Sequence, residues 1–273
     1  MYPIVSKRRL APNLVEMWIK APRIVRKTRP GQFIILRTDE EGERVPLTVA
    51  DTDKDQGTLM IVFQEVGLST RQMGVLEAGD SLRDVVGPLG KASDLPTSGK
   101  VLCVGGGVGT AVVYPQVKWM HQQGVEVDVI VGARSKEYII LEEEIRSGSA
   151  NLYITTDDGS RGMHGNVTDM MKKLYSEGNR YDEVIAIGPL IMMKFVCALT
   201  REWGVKTMIS MNPVMVDGTG MCGGCRLTVG GKTVYACVDG PDFDGHLVDF
   251  EESMRRQGMY RDEEDHLCRR LAQ

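Results

Sequence analysis

Long apolar stretches are missing from this 273-residue chain; none approaches the roughly 18 residues that a membrane-crossing helix needs. The opening stretch, MYPIVSKRRLAPN, lacks the apolar segment and cleavage site of a secretory signal. Together these absences predict a cytoplasmic chain without membrane association. Excess positive charge is missing too: 33 Lys and Arg against 37 Asp and Glu leave a net charge of −4, which offers no footprint for nucleic acid. There is no low-complexity tract and no long run of one charge sign, so disorder is not expected. Histidine is scarce: His121, His164, His246 and His266 are scattered, form no metal or triad pattern, and read as surface residues.

Cysteine is also sparse, with six in all, yet three of them, Cys222, Cys225 and Cys237, fall in the glycine-rich stretch VDGTGMCGGCRLTVGGKTVYAC. In a cytoplasmic chain thiols stay reduced, which favours metal ligation over a disulfide. A tetrahedral zinc or iron site usually takes four ligands. Plant-type [2Fe–2S] loops run C-x4-C-x2-C with a distant fourth cysteine; here Asp217-x4-Cys222-x2-Cys225 has that spacing, and Cys237 follows after eleven intervening residues. Asp217 is therefore the candidate first ligand. Carboxylate and thiolate each carry one negative charge, so the exchange leaves the formal charge of the site unchanged, although oxygen is the harder donor. A zinc site would use the same four residues. Cys103 and Cys197 lie in apolar patterns and read as core; Cys268, in the charged tail, reads as an exposed thiol or an alternative fourth ligand.

Periodicity divides the chain into three regions. Residues 1–95 carry short alternating runs, LVEMWIKA, GQFIILR, VPLTVAD, GTLMIVFQE and SLRDVVGPLG, which predict an antiparallel β-barrel. A helix is expected in STRQMGVLEAG, capped by Ser69 and stopped by Gly79. Residues 96–207 alternate strands (KVLCVGGG, EVDVIVGAR, LYITTDDG, YDEVIAIGP) with helical stretches, the pattern of an α/β domain with a parallel sheet. Residues 208–273 hold the small C-terminal cysteine region and tail.

Gly105, Gly106, Gly107, Val108 and Gly109 follow a strand and open a helix, so their N–H groups suit a pyrophosphate. Thr110 stands where the third glycine of the dinucleotide fingerprint belongs, and the acid expected about twenty residues on is replaced by Arg134, a possible partner for a 2′-phosphate. Asp157 or Asp158 of TDDG could approach the nicotinamide ribose. In the barrel, Arg44 and Thr48 lie four residues apart on one strand face, suited to a flavin pyrophosphate and ring nitrogen. Ser69 and Thr70 of GLST open a helix that could bind phosphate.

The order of barrel, nucleotide domain and cysteine loop, with R-x-P-L-T at Arg44 to Thr48, GPLG at Gly87 to Gly90, VGGGVGTA and the IGP…MM of Ile187 to Met193, resembles the ferredoxin-reductase superfamily. Within it the chain is similar to the flavin and iron–sulfur electron-transfer subunits. One branch serves dihydroorotate dehydrogenase B; the other comprises the small subunits of NADH-dependent reduced ferredoxin:NADP oxidoreductase and sulfide dehydrogenase, which the loop NPVMVDGTGMCGGC and tail ACVDGPDFDGHLVDFEE favour.

The resemblance implies FAD contacts from Arg44, Val45, Pro46, Leu47, Thr48, Phe63, Gln64, Gly67, Ser69 and Thr70. It implies NAD(H) contacts from Gly105, Gly106, Gly107, Val108, Gly109, Thr110, Arg134, Asp157, Gly188 and Pro189, and a [2Fe–2S] cluster on Asp217, Cys222, Cys225 and Cys237. One departure is that Pro46 and Leu47 precede Thr48, where the superfamily often has an aromatic residue. The resemblance further implies a larger partner subunit with its own flavin and [4Fe–4S] clusters, ferredoxin reached through that complex, and electron bifurcation between NADH, NADPH and ferredoxin. No catalytic side chain is expected, because hydride transfer between nicotinamide and flavin rests on positioning and cofactor electronics. The competing expectation is a nucleotide-binding module with a structural zinc loop and no turnover.

Overall fold

Strands buried on both faces read as continuous apolar runs, strands buried on one face as alternating ones, and both kinds build the first domain of this computed structural model, which describes residues 1–260. Its strands are β1 (Tyr2–Ala11), β2 (Leu14–Lys20), β3 (Phe33–Arg37), β4 (Val45–Asp53), β5 (Thr58–Gln64), β6 (Ser81–Leu82) and β7 (Asp84–Leu89), with helix α1 (Pro22–Val25) after β2 and helix α2 (Leu68–Val75) after β5. The strand order is β6-β1-β2-β5-β4-β3-β7. The two edge strands are separated only by Arg83, whose N–H donates to the carbonyls of Arg37 and Thr38, so the sheet curls into a nearly closed barrel. β1 escapes the sequence reading because only Ile4 and Ala11 of it are buried. The helix expected over Ser69 to Gly79 starts earlier and ends at Val75, because Gly67 rather than Ser69 is the cap.

In β3 the apolar residues split by parity: Ile34 and Leu36 join Met17, Ile61 and Phe63 in the barrel core, whereas Phe33 and Ile35 pack outward with Cys225 and Leu227. Met60 and Val62 of β5 likewise face out, onto the nucleotide domain. Each doubly buried run thus marks a seam between regions.

The second domain follows as β8 (Lys100–Gly106), α3 (Gly109–Gln122), β9 (Glu126–Ala133), α4 (Glu142–Gly148), β10 (Asn151–Thr156), β11 (Met163–His164), α5 (Val167–Ser176), β12 (Glu183–Ile187), α6 (Leu190–Trp203) and β13 (Lys206–Ser210). α3 and α4 cover one sheet face; α5 and α6 cover the other. In the order β11-β10-β9-β8-β12-β13 the succession reverses beside β8, and such a reversal opens a crevice at the strands' carboxyl ends. Lys118 of α3 clamps both Asp51 oxygens of the barrel at 2.8 Å.

Residues 211–241 form a lobe with a hairpin, β14 (Arg226–Val229) and β15 (Lys232–Tyr235), and helix α7 (Ala236–Asp239). The chain returns as β16 (Asp242–Asp244), antiparallel to β13 with Ser210 opposite Asp242, and ends its described part in α8 (Phe250–Gln257). β13 therefore runs across the boundary expected at 207/208.

Asp242 ties these parts together. Its buried carboxylate accepts from the Ser93 hydroxyl, which accepts from Gln116 Nε2 of α3 at 3.1 Å. Burial raises the Asp242 pKa, and the Ser93 and Ser210 hydroxyls offset this only in part. A raised native pKa favours the proton-bound fold, so the stability involved is present below the unfolded pKa and is lost as pH rises through the folded one. Asp242→Asn is accordingly expected to gain melting temperature over the parent as pH climbs from about 4 to about 8. A difference independent of pH would show that the carboxyl titrates alike in both states.

Candidate functional site

The carboxyl ends of β8, β9, β10 and β12 face the barrel across a cleft of about 1220 Å³. Thr48, Phe63 and Gln64 line it from the barrel, Gly106 to Gly109 from the βα turn, and Met211 to Pro213 from the start of the lobe. The turn is built by close approach. A Cβ on Gly109 would lie 2.3 Å from the Ile187 carbonyl oxygen, and one on Gly106 would lie 2.4 Å from Met192 Sδ. Gly107 has φ +55 with nothing near its missing side chain, leaving backbone open to the cleft.

Of the flavin residues expected, Val45, Pro46, Leu47, Thr48, Phe63, Gln64 and Thr70 line the cleft. Arg44 is exposed and immediately precedes β4. The Ser69 hydroxyl is taken by Glu43. Thr70 spends its oxygen on α2, accepting from the Val66 and Gly67 N–H groups at 3.0 and 3.1 Å. Of the nucleotide residues, Gly106, Gly107, Val108, Gly109, Arg134, Asp157, Gly188 and Pro189 line the cleft; Gly105 and Thr110 are buried behind it. Sequence reasoning missed Thr155, Asn166, Lys172, Phe195 and Pro241, all in the lining. Thr155, Asn166, Lys172 and Phe195 sit in no motif and Pro241 lies unremarked within the tail quoted above; the packing of β10, α5, α6 and the approach to β16 brings them there.

In the lobe the expected metal ligands fall into two pairs. Cys225 and Cys237 are buried with their sulfurs 3.2 Å apart. Asp217 and Cys222 are linked through the loop: the Cys222 N–H donates to Asp217 Oδ2 and the Thr219 N–H to Oδ1, both at 2.9 Å. The Thr219 and Cys222 N–H groups hold the Asp217 carboxyl below its ordinary range. Burial, then the Cys225 hydrogen bond, pushes the Cys237 thiol up to about 12. Among the described residues no three His, Cys, Asp or Glu side chains converge on one point as a metal site. Gly224 N–H donates to Cys222 Sγ at 3.4 Å, and Gly218, at φ +73, lets the loop lie on Ile35 and Leu89 of the barrel. Three thiols and a carboxylate are a donor set suited to iron or zinc.

Cys103 and Cys197 are buried free thiols; Cys268 and His266 lie outside the described residues. His246 is not a surface residue: it is half-buried, with Nε2 3.0 Å from Thr200 Oγ1. His121 and His164 are exposed.

Comparison with known proteins decides the family. The iron–sulfur cluster binding domain of dihydroorotate dehydrogenase B matches residues 212–249. The electron transfer subunit of dihydroorotate dehydrogenase B from Geobacillus thermodenitrificans is 33% identical over 88% of this chain and 94% of its own length. The chain belongs to this electron-transfer-subunit family. A homologue of these subunits from Thermotoga maritima is 46% identical over 96% of this chain and 92% of its own. Among solved structures, a chain of the NADH-dependent reduced ferredoxin-NADP oxidoreductase, studied for flavin-based electron bifurcation, is 44% identical with a TM-score of 0.95. That match covers 100% of this chain and 98% of the other. A ferredoxin NADP+ reductase from Neisseria gonorrhoeae shares the fold of this electron-transfer subunit at 15% identity and TM-score 0.60, over 74% of this chain and 90% of its own.

Proposed function

We propose that this electron-transfer subunit exchanges hydride between NAD(H) and FAD and passes single electrons through a [2Fe–2S] cluster to a larger partner subunit. The observation that carries the reading is one cleft walled by all three regions: Thr48 from the barrel, Gly107 from the dinucleotide turn, Met211 at the root of the cysteine lobe. Bound flavin supplies the conversion between a two-electron donor and one-electron steps.

The chain's own residues do the rest. Val45 to Thr48 present a strand edge to the ring, the N–H groups of Val108 and Gly109 face phosphate at the start of α3 while that of Gly107 is held by the Gly132 carbonyl, and apolar Met192 and Phe195 help keep water from the nicotinamide end. The four lobe donors would hold the cluster as two pairs, Asp217 with Cys222 and Cys225 with Cys237. Two irons shared among four protein ligands ask for such an arrangement, whereas a single zinc draws all four onto one ion. The 44% likeness to the ferredoxin-NADP oxidoreductase chain, against 33% to the dihydroorotate dehydrogenase subunit, supports a place in an electron-bifurcating NADH/NADPH/ferredoxin complex. The partner proposed is a larger subunit with its own flavin and [4Fe–4S] clusters, as the resemblance to the superfamily implies. Among the described residues no helix is long and apolar enough to cross a membrane, which supports a cytoplasmic setting.

The absorption spectrum of the purified chain tests this reading. Flavin and iron–sulfur bands that bleach with NADH are expected. A colourless, zinc-containing protein would replace the reading with that of a nucleotide-binding module.

A further inference from the structure

The loop between Cys222 and Cys225 is held from outside by two arginines. Arg226 Nη1 donates to the Gly223 carbonyl at 3.2 Å, where the Arg226 N–H joins it at 3.4 Å. Arg256 Nη2 donates to the next carbonyl, that of Gly224, at 3.0 Å. A planar trans peptide points its N–H opposite to its carbonyl. Drawing the Gly223 carbonyl toward Arg226 therefore turns the Gly224 N–H the other way, and this N–H donates to Cys222 Sγ at 3.4 Å. Drawing the Gly224 carbonyl toward Arg256 does the same to the following peptide, whose N–H belongs to Cys225. That N–H has no partner among the described residues, although Cys225 is only 2% exposed. A backbone N–H in so buried a residue is seldom left unpaired, so it marks a place for an acceptor.

Arg256 comes from outside the segment that carries the cysteines. The matched iron–sulfur domain covers residues 212–249, and Arg256 lies in the last turn of α8, which begins at Phe250. The seat of that helix is well defined. Asp249 caps it by accepting from the Glu252 N–H, and the Asp249 N–H donates to the Thr228 carbonyl of β14, both at 2.9 Å. Phe250 is buried in the same core as Cys225, Leu227 and Cys237, and Glu251 pairs with Lys194 of α6. The position of Arg256 beside Gly224 is thus set by α8 and not by the loop it holds.

Resting on the [2Fe–2S] reading above, we propose that Arg226 and Arg256 are positioning residues for the cluster. By holding two successive carbonyls outward they aim the Gly224 and Cys225 N–H groups at sulfur and raise the cluster's potential. The reduced state carries one more negative charge than the oxidised state, so N–H groups directed at sulfur favour it; such hydrogen bonds are among the levers that set iron–sulfur potentials. α8 becomes a brace whose docking tunes the redox group from beyond the cysteine segment.

The test is a redox titration of the full purified chain followed by electron paramagnetic resonance, with iron stoichiometry, in the parent and in Arg226→Ala, Arg256→Ala, Arg256→Gln and Arg256→Lys. Arg256→Ala should lower the midpoint by at least about 59 mV, a tenfold shift of the one-electron equilibrium toward the oxidised state. Arg226→Ala should move it the same way by less, since the backbone N–H at that position still holds the Gly223 carbonyl. Gln and Lys can still donate to the Gly224 carbonyl and should recover at least half of the loss; they carry the test if Arg256→Ala fails to retain iron. A second measurement separates peptide alignment from charge. After reconstitution in heavy water, pulsed electron paramagnetic resonance of the reduced protein should show weaker deuteron coupling in the alanine variants than in the parent. Lowered potentials with unchanged coupling, or Arg256→Gln falling as far as Arg256→Ala, would make the guanidinium charge the cause and overturn the proposal. Parent-like potential and coupling in both alanine variants also overturn it, with the [2Fe–2S] reading intact because the parent signal is present. Absence of a [2Fe–2S] signal from the parent overturns both.

Discussion

Asp217→Ala and Asp217→Asn are expected to lose the [2Fe–2S] cluster, while Asp217→Cys assembles one with altered potential and spectrum and all three keep their flavin. The three replacements separate two roles that coincide in the parent. Asp217 accepts the Thr219 and Cys222 N–H groups, so it shapes the loop whether or not it binds iron. Asn keeps an acceptor for that turn but loses the anionic oxygen; Cys gives up the turn acceptor but restores a soft anionic donor at plant-type spacing. Ligation therefore predicts Cys over Asn, and a turn role predicts Asn over Cys. Electron paramagnetic resonance of the dithionite-reduced proteins, with iron and flavin stoichiometry, reads the order directly. A cluster retained in Asp217→Asn and lost in Asp217→Cys would remove Asp217 from the ligand set, and Cys268→Ala would then show whether the fourth ligand comes from the tail.

NADH reduction of the flavin is expected to slow by at least about 100-fold in Gly109→Ala, because a methyl group with no room must shift the βα turn, and misplacement by about 1 Å is enough for a loss of this size. The added Cβ would lie 2.3 Å from the Ile187 carbonyl oxygen and 2.8 Å from Gly188 Cα, both backbone atoms that cannot rotate aside. Gly106→Ala meets the flexible Met192 side chain instead and should be milder. Flavin and cluster contents should match the parent in both, since neither glycine touches the lobe. Stopped-flow bleaching, with circular dichroism to confirm the fold, decides the matter. Parent-like rates in Gly109→Ala would show that the contact between α3 and β12 does not position the nucleotide.

Much of this architecture was legible because its signals are local. The alternation of strand and helix after Lys100, the glycine turn and the spacing of the three lobe cysteines each depend on neighbours in sequence. What depends on distant contacts was not legible. β1 hides behind the charged outward face of SKRRL, buried only at its ends. Ser69 looks like a cap because serine commonly is one, but Thr70 reaches back to the Gly67 N–H and moves the helix start forward. Lys172 and Thr155 reach the cleft only because α5 and β10 are placed beside β9. His246 is tied to Thr200 across 46 residues, a pairing with no sequence period. The run FIILR was visible as apolar, but its division between two cores appears only once the lobe is seen resting on β3.

The rung between Ser210 and Asp242 has a topological consequence. Residues 211–241 leave the sheet and re-enter it at adjacent positions, with the Met211 N–H closing onto the Pro241 carbonyl at 2.9 Å. The lobe is thus a plug-in appendage on an electron-transfer subunit whose barrel and parallel sheet each keep all their strands without it. Swapping residues 212–240 for a tight turn would remove the four candidate cluster donors while both larger sheets keep every strand, at the cost of the cleft wall that Asn212, Pro213 and Met215 supply.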